Sequence, residues 1–452
     1  MMRWQQLLRP FRLGYENEDV GHDPDRSEYE RDFDRIIFST EFRRLHGKTQ
    51  VFPFPENDVT HTRMTHSLES VSVGRSLGNI TSNKLREKHD DFKDWNLGTT
   101  VSVACLAHDL GHPPFGHTGE DAIKEYFNGQ QGQKFLADLE EAERRDFENF
   151  EANAMTFHLL VYSNPVLTDL EGGLGLTYPS LAAVVKYPRT NASGVRTDGE
   201  SVSEKKPGIF QMDLEHFRRI AGVLGLKKKE EGPGQSWHRH PLAFLAEAAD
   251  DICYKIMDLE DGFKQGLVSF ESVREMLMPI IEAETGNSNA GKLDKIHDNR
   301  EKVSYLRAKA IYSLVYQAAG VFCRREEEIL SGDFDSELCD HIESSEVLAE
   351  IYEFSQEEIY SQGSVLEIEA AGFKVLPELL DMFLAAMRDE SKAEDRRSSR
   401  KIREILPPEY RFDYGEKTYE SIMAVVRYVS GMTDSFAVDT YRKLTGIDIP
   451  NY

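Results

Sequence analysis

The sequence predicts an all-α fold with at most a small β-ribbon, and three observations carry that prediction. Leu242, Leu245, Ala249, Ile252, Ile256 and Leu259 recur at three- and four-residue steps, the stripe of an amphipathic helix. Thr99 to Ala107 (TTVSVACLA) is apolar enough for a buried helix. Strand signals are few and short.

In chain order, Gln50-Val51-Phe52-Pro53 and Gly208-Ile209-Phe210 are the candidates for the ribbon. The helix over 99–107 ends at Gly111-His112-Pro113-Pro114, because two prolines cannot continue a helical hydrogen-bond ladder, so His108 and Asp109 fall at a helix terminus. A new helix starts from about Thr118. Residues 189–208 and 227–236 are rich in Ser, Gly, Thr and Lys and read as loops around a helical pattern from Gln211 to Leu226. On the helix of the apolar stripe, Asp250, Tyr254 and Asp258 stand at i, i+4 and i+8 and share one face. From about 270 to 405 apolar and charged residues alternate in helical fashion, with a polar break at Thr285 to Gly291 and a charged run at Arg388 to Arg403. The predicted organisation is a catalytic core over 1–269, with a loop-rich insertion at about 189–236, and a helical region over 270–452 that completes the fold and carries oligomer contacts.

The chain has 452 residues, 40% of them hydrophobic, enough for a sizeable core. No run approaches the ~18 apolar residues of a membrane span, and Met1-Met2-Arg3-Trp4-Gln5-Gln6 lacks a signal-peptide core, so the expectation is a cytoplasmic protein without membrane contact. Cys105, Cys253, Cys323 and Cys339 show neither disulfide nor zinc-finger spacing and read as buried small hydrophobes. The 54 Lys and Arg against 79 Asp and Glu give a net charge of -25, which argues against broad nucleic-acid binding. A polyanionic nucleotide still needs a local basic pocket, for which Arg43, Arg44, Lys48, Arg63, Lys186 and Arg189 are placed beside the motifs.

The chemistry concentrates in Ala107-His108-Asp109-Leu110-Gly111-His112-Pro113-Pro114-Phe115-Gly116-His117, three histidines and a carboxylate in one turn-rich segment. An adjacent His-Asp pair offers an imidazole nitrogen and a carboxylate oxygen to a divalent cation and leaves positions for water and a phosphate oxygen. Two more ligands are required, and His66 and Asp250 fit, giving the order H...HD...D. Such a His and Asp set favours Mn, Fe, Co, Ni, Zn or a weakly held Mg without choosing among them. His61, five residues before His66, is a candidate for a supporting role. His117 and Glu120, three apart, read either as an acid-base pair or as a helix cap.

The order H...HD...D resembles the HD-domain phosphohydrolases. The strings FRRLHGKTQVFP (42–53), HDLGHPPFGHTGE (108–120), LTYPSLAAVVKYPR (176–189), LAEAADDICYKIMDLEDGF (245–263) and GMTDSFAVDTYRKL (431–444) resemble, more narrowly, the deoxynucleoside triphosphate triphosphohydrolases, which include bacterial dGTPases and the vertebrate SAM-and-HD-domain restriction factor. The resemblance spans nearly the whole chain, without the SAM domain.

It implies an all-α HD-domain core, His66, His108, Asp109 and Asp250 as metal ligands, and His117 and Glu120 as the catalytic pair. It implies further that Tyr254 packs under a deoxyribose and excludes ribonucleotides, that Asp258 accepts the 3′-hydroxyl bond, and that Arg63, His112, Asn153 and Lys186 contact substrate. Segment 150–155 (FEANAM) departs from the family pattern F-[ED]-G-N-A-Q, but Asn153 is retained. The implied reaction is metal-dependent hydrolysis of dGTP or several dNTPs to deoxynucleoside and inorganic triphosphate, in a homo-oligomer with a possible dNTP effector site. An HD-type nucleotide phosphodiesterase or nucleotidase is the alternative, and a non-catalytic nucleotide sensor or single-strand nucleic-acid binder is the third reading.

Overall fold

Helix propensity along the chain resolves into a stack of helices in the computed structural model, which describes residues 1–15, 25–50, 61–89, 96–191, 201–229, 234–285, 290–391, 397–412 and 414–448. Among the described residues the only β-pairing is isolated bridges, so the fold is all-α. Of the two ribbon candidates, 208–210 contributes one parallel bridge, Thr190 to Ile209. All of the other candidate except Gln50 lies outside the described residues.

Eleven helices serve to place the site: α1 (Arg63–Arg86), α2 (Leu97–Ala107), α3 (Gly116–Asn128), α4 (Ala152–Val161), α5 (Tyr178–Val184), α6 (Pro241–Lys264), α7 (Asn299–Arg324), α8 (Ser345–Ser355), α9 (Gly363–Ser391), α10 (Thr418–Ser430) and α11 (Asp434–Thr445). The helix starting at Gly116 begins two residues earlier than the sequence indicates. Thr62 starts α1 with a reciprocal capping box to Thr65. His240 caps α6, and Pro241 takes the first helical position, where a missing N–H costs nothing.

The three long ligand-bearing helices pack on one another: α1 on α2, and α6 on both. Their approach is close because small residues face each other. A Cβ on Gly78 would lie 2.5 Å from the Gly98 Cα, so larger residues would force α1 and α2 apart. Helix α7 closes the outer side of α1 and α6. The apolar stripe of α6 is buried throughout; Leu242, Leu245, Ala249, Ile252 and Leu259 are all fully enclosed. On the other side of the 108–117 turn a second apolar cluster joins α3 and α4 to α9 and α10, through Phe127, Phe150, Leu376, Phe383 and Val425. The C-terminal helices thus pack directly behind the turn that carries His112 and His117. No described helix is long and apolar enough to cross a membrane. All four cysteines are free and buried.

Candidate active site

His108 occupies the C-cap of α2, where the Pro113-Pro114 break turns the chain out of the helix. Its Nδ1 donates to the Cys105 carbonyl at 2.6 Å, which leaves Nε2 as the lone-pair nitrogen, buried and without a hydrogen-bond partner. That nitrogen stands 3.4 Å from Asp109 Oδ1 and 3.3 Å from Asp250 Oδ1. From the facing turn of α1, His66 brings its Nε2 to 3.0 Å from the same Asp250 oxygen. Two imidazoles and two carboxylates therefore converge, with the ligand atoms of His66, His108 and Asp109 all within 4.8 Å of one another.

These spacings fit a metal ion. Metal–ligand bonds of about 2.1 Å put neighbouring ligand atoms about 3.0–3.4 Å apart in octahedral or tetrahedral arrangements. The electrostatics agree. Burial opposes a charge on His108, but Asp109 and Asp250 outweigh it and raise its pKa to about 9. A proton there stands where a cation is called for. Burial also opposes ionisation of Asp109 and Asp250, yet Arg63 and His108 hold the first, and Lys186 and His108 the second, well below the carboxylate range. Both carboxylates are available as anionic ligands.

Arg63 donates to Asp109 Oδ2 at 2.9 Å, and Lys186, just past α5, donates to Asp250 Oδ2 at 2.6 Å. Each ligand carboxylate is thus oriented by a cation on its second oxygen. His61 joins Asp261 of α6 at 2.5 Å to Glu69 of α1 at 3.1 Å, and so ties together the helices that supply Asp250 and His66.

Across the cavity, His117 Nδ1 lies 2.9 Å from Glu120 Oε2, and Glu120 Oε1 accepts the Ala152 amide at 2.6 Å. The two differ in access: the His117 side chain is 72% exposed and that of Glu120 only 2%. Burial raises the Glu120 pKa, but the His117 bond and the nearby His112 and Lys206 bring it below the usual range. The pair is an exposed imidazole backed by a fixed carboxylate. His112 sits between the two groups, 3.0 Å from Asp109 Oδ1 and with its ring 5.5 Å from that of His117. Burial and Arg63 lower its pKa to about 4, so it is a neutral imidazole at pH 7. His112, His117 and Glu120 could also cluster around a cation. With Arg63 and Lys206 acting on His112 and Glu120, that spot suits anions and protons better.

Both halves open on one cavity of about 400 Å³. Of the metal-ligand, catalytic and substrate-contact candidates all but Glu120 and Asp258 line it, and these two are hydrogen-bonded to the lining residues His117 and Tyr360. Tyr254 forms part of the lining one turn along α6 from Asp250. Asp258 is buried, raised by desolvation to about 8, and accepts a bond from the Tyr360 hydroxyl. Asn153 donates to Glu151 at 3.1 Å. The basic set narrows: Arg43, Arg44, Lys48 and Arg189 do not line the cavity. Lys48 and Arg189 are buried and donate to backbone carbonyls.

Among the lining residues that the sequence did not single out, Lys206 and Tyr360 act on the candidate groups. Lys206 donates to the buried Glu151 at 2.8 Å and adds a third cation to Arg63 and Lys186. Tyr360 stacks on Tyr254, with ring centroids 6.2 Å apart and planes at 23°, from a π-helical turn over Gln356–Tyr360 that follows α8. A π-turn in this position is a recurrent mark of functional sites, but Tyr360 is about a hundred residues from Tyr254 and no local pattern joins them.

Comparison with known proteins places the chain in a family. Residues 63–165 match the HD domain, and residues 343–443 match the phosphohydrolase-associated domain. The chain is 38% identical to a deoxyguanosinetriphosphate triphosphohydrolase-like protein of Synechocystis, over 99% of this chain and 100% of the relative. A protein of the same description from Pseudomonas aeruginosa is 36% identical over the full length of both. The deoxyguanosinetriphosphate triphosphohydrolase of Salmonella typhimurium is 28% identical over 93% of this chain and 94% of its own. The chain belongs to the HD-domain family of deoxyguanosinetriphosphate triphosphohydrolase-like proteins.

Proposed function

We propose that the protein hydrolyses deoxynucleoside triphosphates, dGTP or several dNTPs, to deoxynucleoside and inorganic triphosphate, with water attacking the α-phosphorus. The observation that carries this reading is the placement of the His66, His108, Asp109 and Asp250 cluster opposite the His117–Glu120 pair in one cavity. Those four residues would hold a divalent ion, which would supply Lewis-acid polarisation of a phosphoryl oxygen and lower the pKa of a water beside it.

The remaining work belongs to side chains. Arg63, Lys186 and Lys206 offset the charge of the triphosphate, and the neutral His112 donates its N–H to one of the triphosphate oxygens without adding charge. Attack at the α-phosphorus breaks its bond to O5′, so in net terms one proton passes from water to O5′. His117 handles that proton, and Glu120 fixes its tautomer and stabilises the imidazolium. Tyr254 offers a flat face against C2′ of the sugar, where a ribose hydroxyl would clash. Asp258 accepts the 3′-hydroxyl, sharing or exchanging the bond it holds with Tyr360. The family resemblance extends the reading to a homo-oligomer with a dNTP effector site.

The test is anion-exchange analysis of products after incubating the Mn-loaded protein with each of the four dNTPs, singly and mixed, beside His108→Ala. Triphosphate with deoxynucleoside, lost in the variant, is the expected result. A rate that requires mixed dNTPs would support the effector site. Monophosphate with pyrophosphate would overturn the reading in favour of a phosphodiesterase or nucleotidase.

A further inference from the structure

Phe115 is the sole non-glycine residue with positive φ among those described, at φ 66° and ψ 17°. It immediately precedes α3, the helix of His117 and Glu120, and offers no side-chain cap. A bulky residue in the left-handed region is strained and persists only where its surroundings hold it. What holds this one comes from the far end of the chain. The Phe115 amide donates to Asp434 Oδ1 at 3.1 Å, and Asp434 is the buried first residue of α11.

The other Asp434 oxygen accepts the Thr49 amide at 3.0 Å and the Thr49 hydroxyl at 2.5 Å. Thr49 bridges to Thr62, the cap of α1, and the Arg63 amide donates to the Lys48 carbonyl at 3.1 Å. A single carboxylate thus spans the start of the His66 helix and the start of the His117 helix. The fit at this point is close: a Cβ on Gly116, itself at φ 60°, would lie 2.8 Å from the Arg63 guanidinium. The near end of the turn is held as well, since Lys48 donates to the His112 carbonyl and, at 2.9 Å, to the Ser430 carbonyl.

We infer that Asp434 is a positioning residue for the proton-handling pair: by bonding the Phe115 amide it sets where α3 begins, and with it the distance of His117 and Glu120 from the ligand cluster on α1 and α2. The inference rests on the role proposed above for His117. It assigns to the 431–444 motif a task in the reaction, beyond packing against the core.

The experiment is a double-mutant cycle in the full-length Mn-loaded protein, with dGTP beside the four dNTPs mixed and released triphosphate as readout. Asp434→Asn keeps the size but cannot accept from Phe115 and Thr49 together. It should lower kcat about tenfold or more, leaving KM and bound Mn per chain near wild type. In a His117→Ala background the same substitution should have almost no further effect, because the group it positions is gone. Asp434→Ser gives the same comparison if the asparagine variant does not fold. An equal loss in both backgrounds, or an unchanged kcat in the folded variant, overturns the inference. If His117→Ala itself turns over like wild type, the proton-handling reading falls first and the inference with it, a result distinct from equal losses.

Discussion

His61 gives the most quantitative handle on what holds the two ligand helices together. Its imidazole sits between Asp261 of α6 and Glu69 of α1, at 2.5 Å and 3.1 Å. Burial works against its charge, but the bonds to both carboxylates outweigh burial and raise its pKa to about 10. In the unfolded chain the value is about 6.5. A folded pKa above the unfolded one means stability that is complete below about pH 6.5 and lost as pH rises through about 10. The difference between about 10 and about 6.5 would correspond to at most about 4–5 kcal/mol. The Glu69 side chain is 35% exposed, so solvent screening reduces its share, and about 2–3 kcal/mol is the working figure. In a chain of 452 residues that is on the order of 2–3 °C in Tm. The assay is a series of thermal melts of wild type and His61→Gln between pH 6 and 10.5. Wild type should melt later at pH 6.5, and the gap should close towards pH 10. Because all other groups titrate in both proteins, a gap that stays constant across this range would refute the charged bridge.

Removing ligands should remove metal: His66→Ala and Asp250→Asn are each expected to lower Mn retained after dialysis by tenfold or more, about 1.4 kcal/mol or greater, as measured by plasma mass spectrometry. Unchanged stoichiometry would exclude the cluster. Tyr254→Ala should open the space beside C2′ and raise relative kcat/KM for GTP over dGTP about 10–100-fold, and an unchanged ratio would place sugar selection elsewhere. Asp146, buried beneath α10, is raised by burial to about 7 although the Tyr419 hydroxyl and Gln211 amide donate to it, each at 2.6 Å. Its folded pKa lies above the unfolded one, the reverse of the usual carboxylate, so it costs stability as pH rises from about 4 to 7, by up to about 1.4 kcal/mol per unit. Asp146→Asn should flatten that slope in urea melts; a parallel slope would show that the carboxyl is ionised throughout.

The sequence made legible whatever is set by local spacing. The 3.6-residue repeat of α6 placed Asp250, Tyr254 and Asp258 on one face, and the Pro113-Pro114 break placed His108 and Asp109 at the end of α2. His66 and Asp250 entered through the order of residues in the motif, and the structure brings both to the His108 imidazole. Pairings between distant segments were not legible. Tyr360 reaches Tyr254 from a turn set by the packing of α8 on α6, and Lys206 reaches the cavity from within the loop-rich insertion. Lys48 and Arg189 stand next to the motifs in sequence, yet backbone carbonyls claim them, because a buried ammonium or guanidinium must be hydrogen-bonded wherever acceptors lie. Motif proximity predicts which segments meet but not which way each side chain points.

The central claim is that water attacks the α-phosphorus in this cavity and releases triphosphate intact. Turnover of dGTP by the Mn-loaded protein in ¹⁸O-enriched water, followed by mass spectrometry of the products, tests it most directly. The account predicts one ¹⁸O in inorganic triphosphate and none in deoxyguanosine. Label in the nucleoside, or label in a monophosphate accompanied by pyrophosphate, would contradict it.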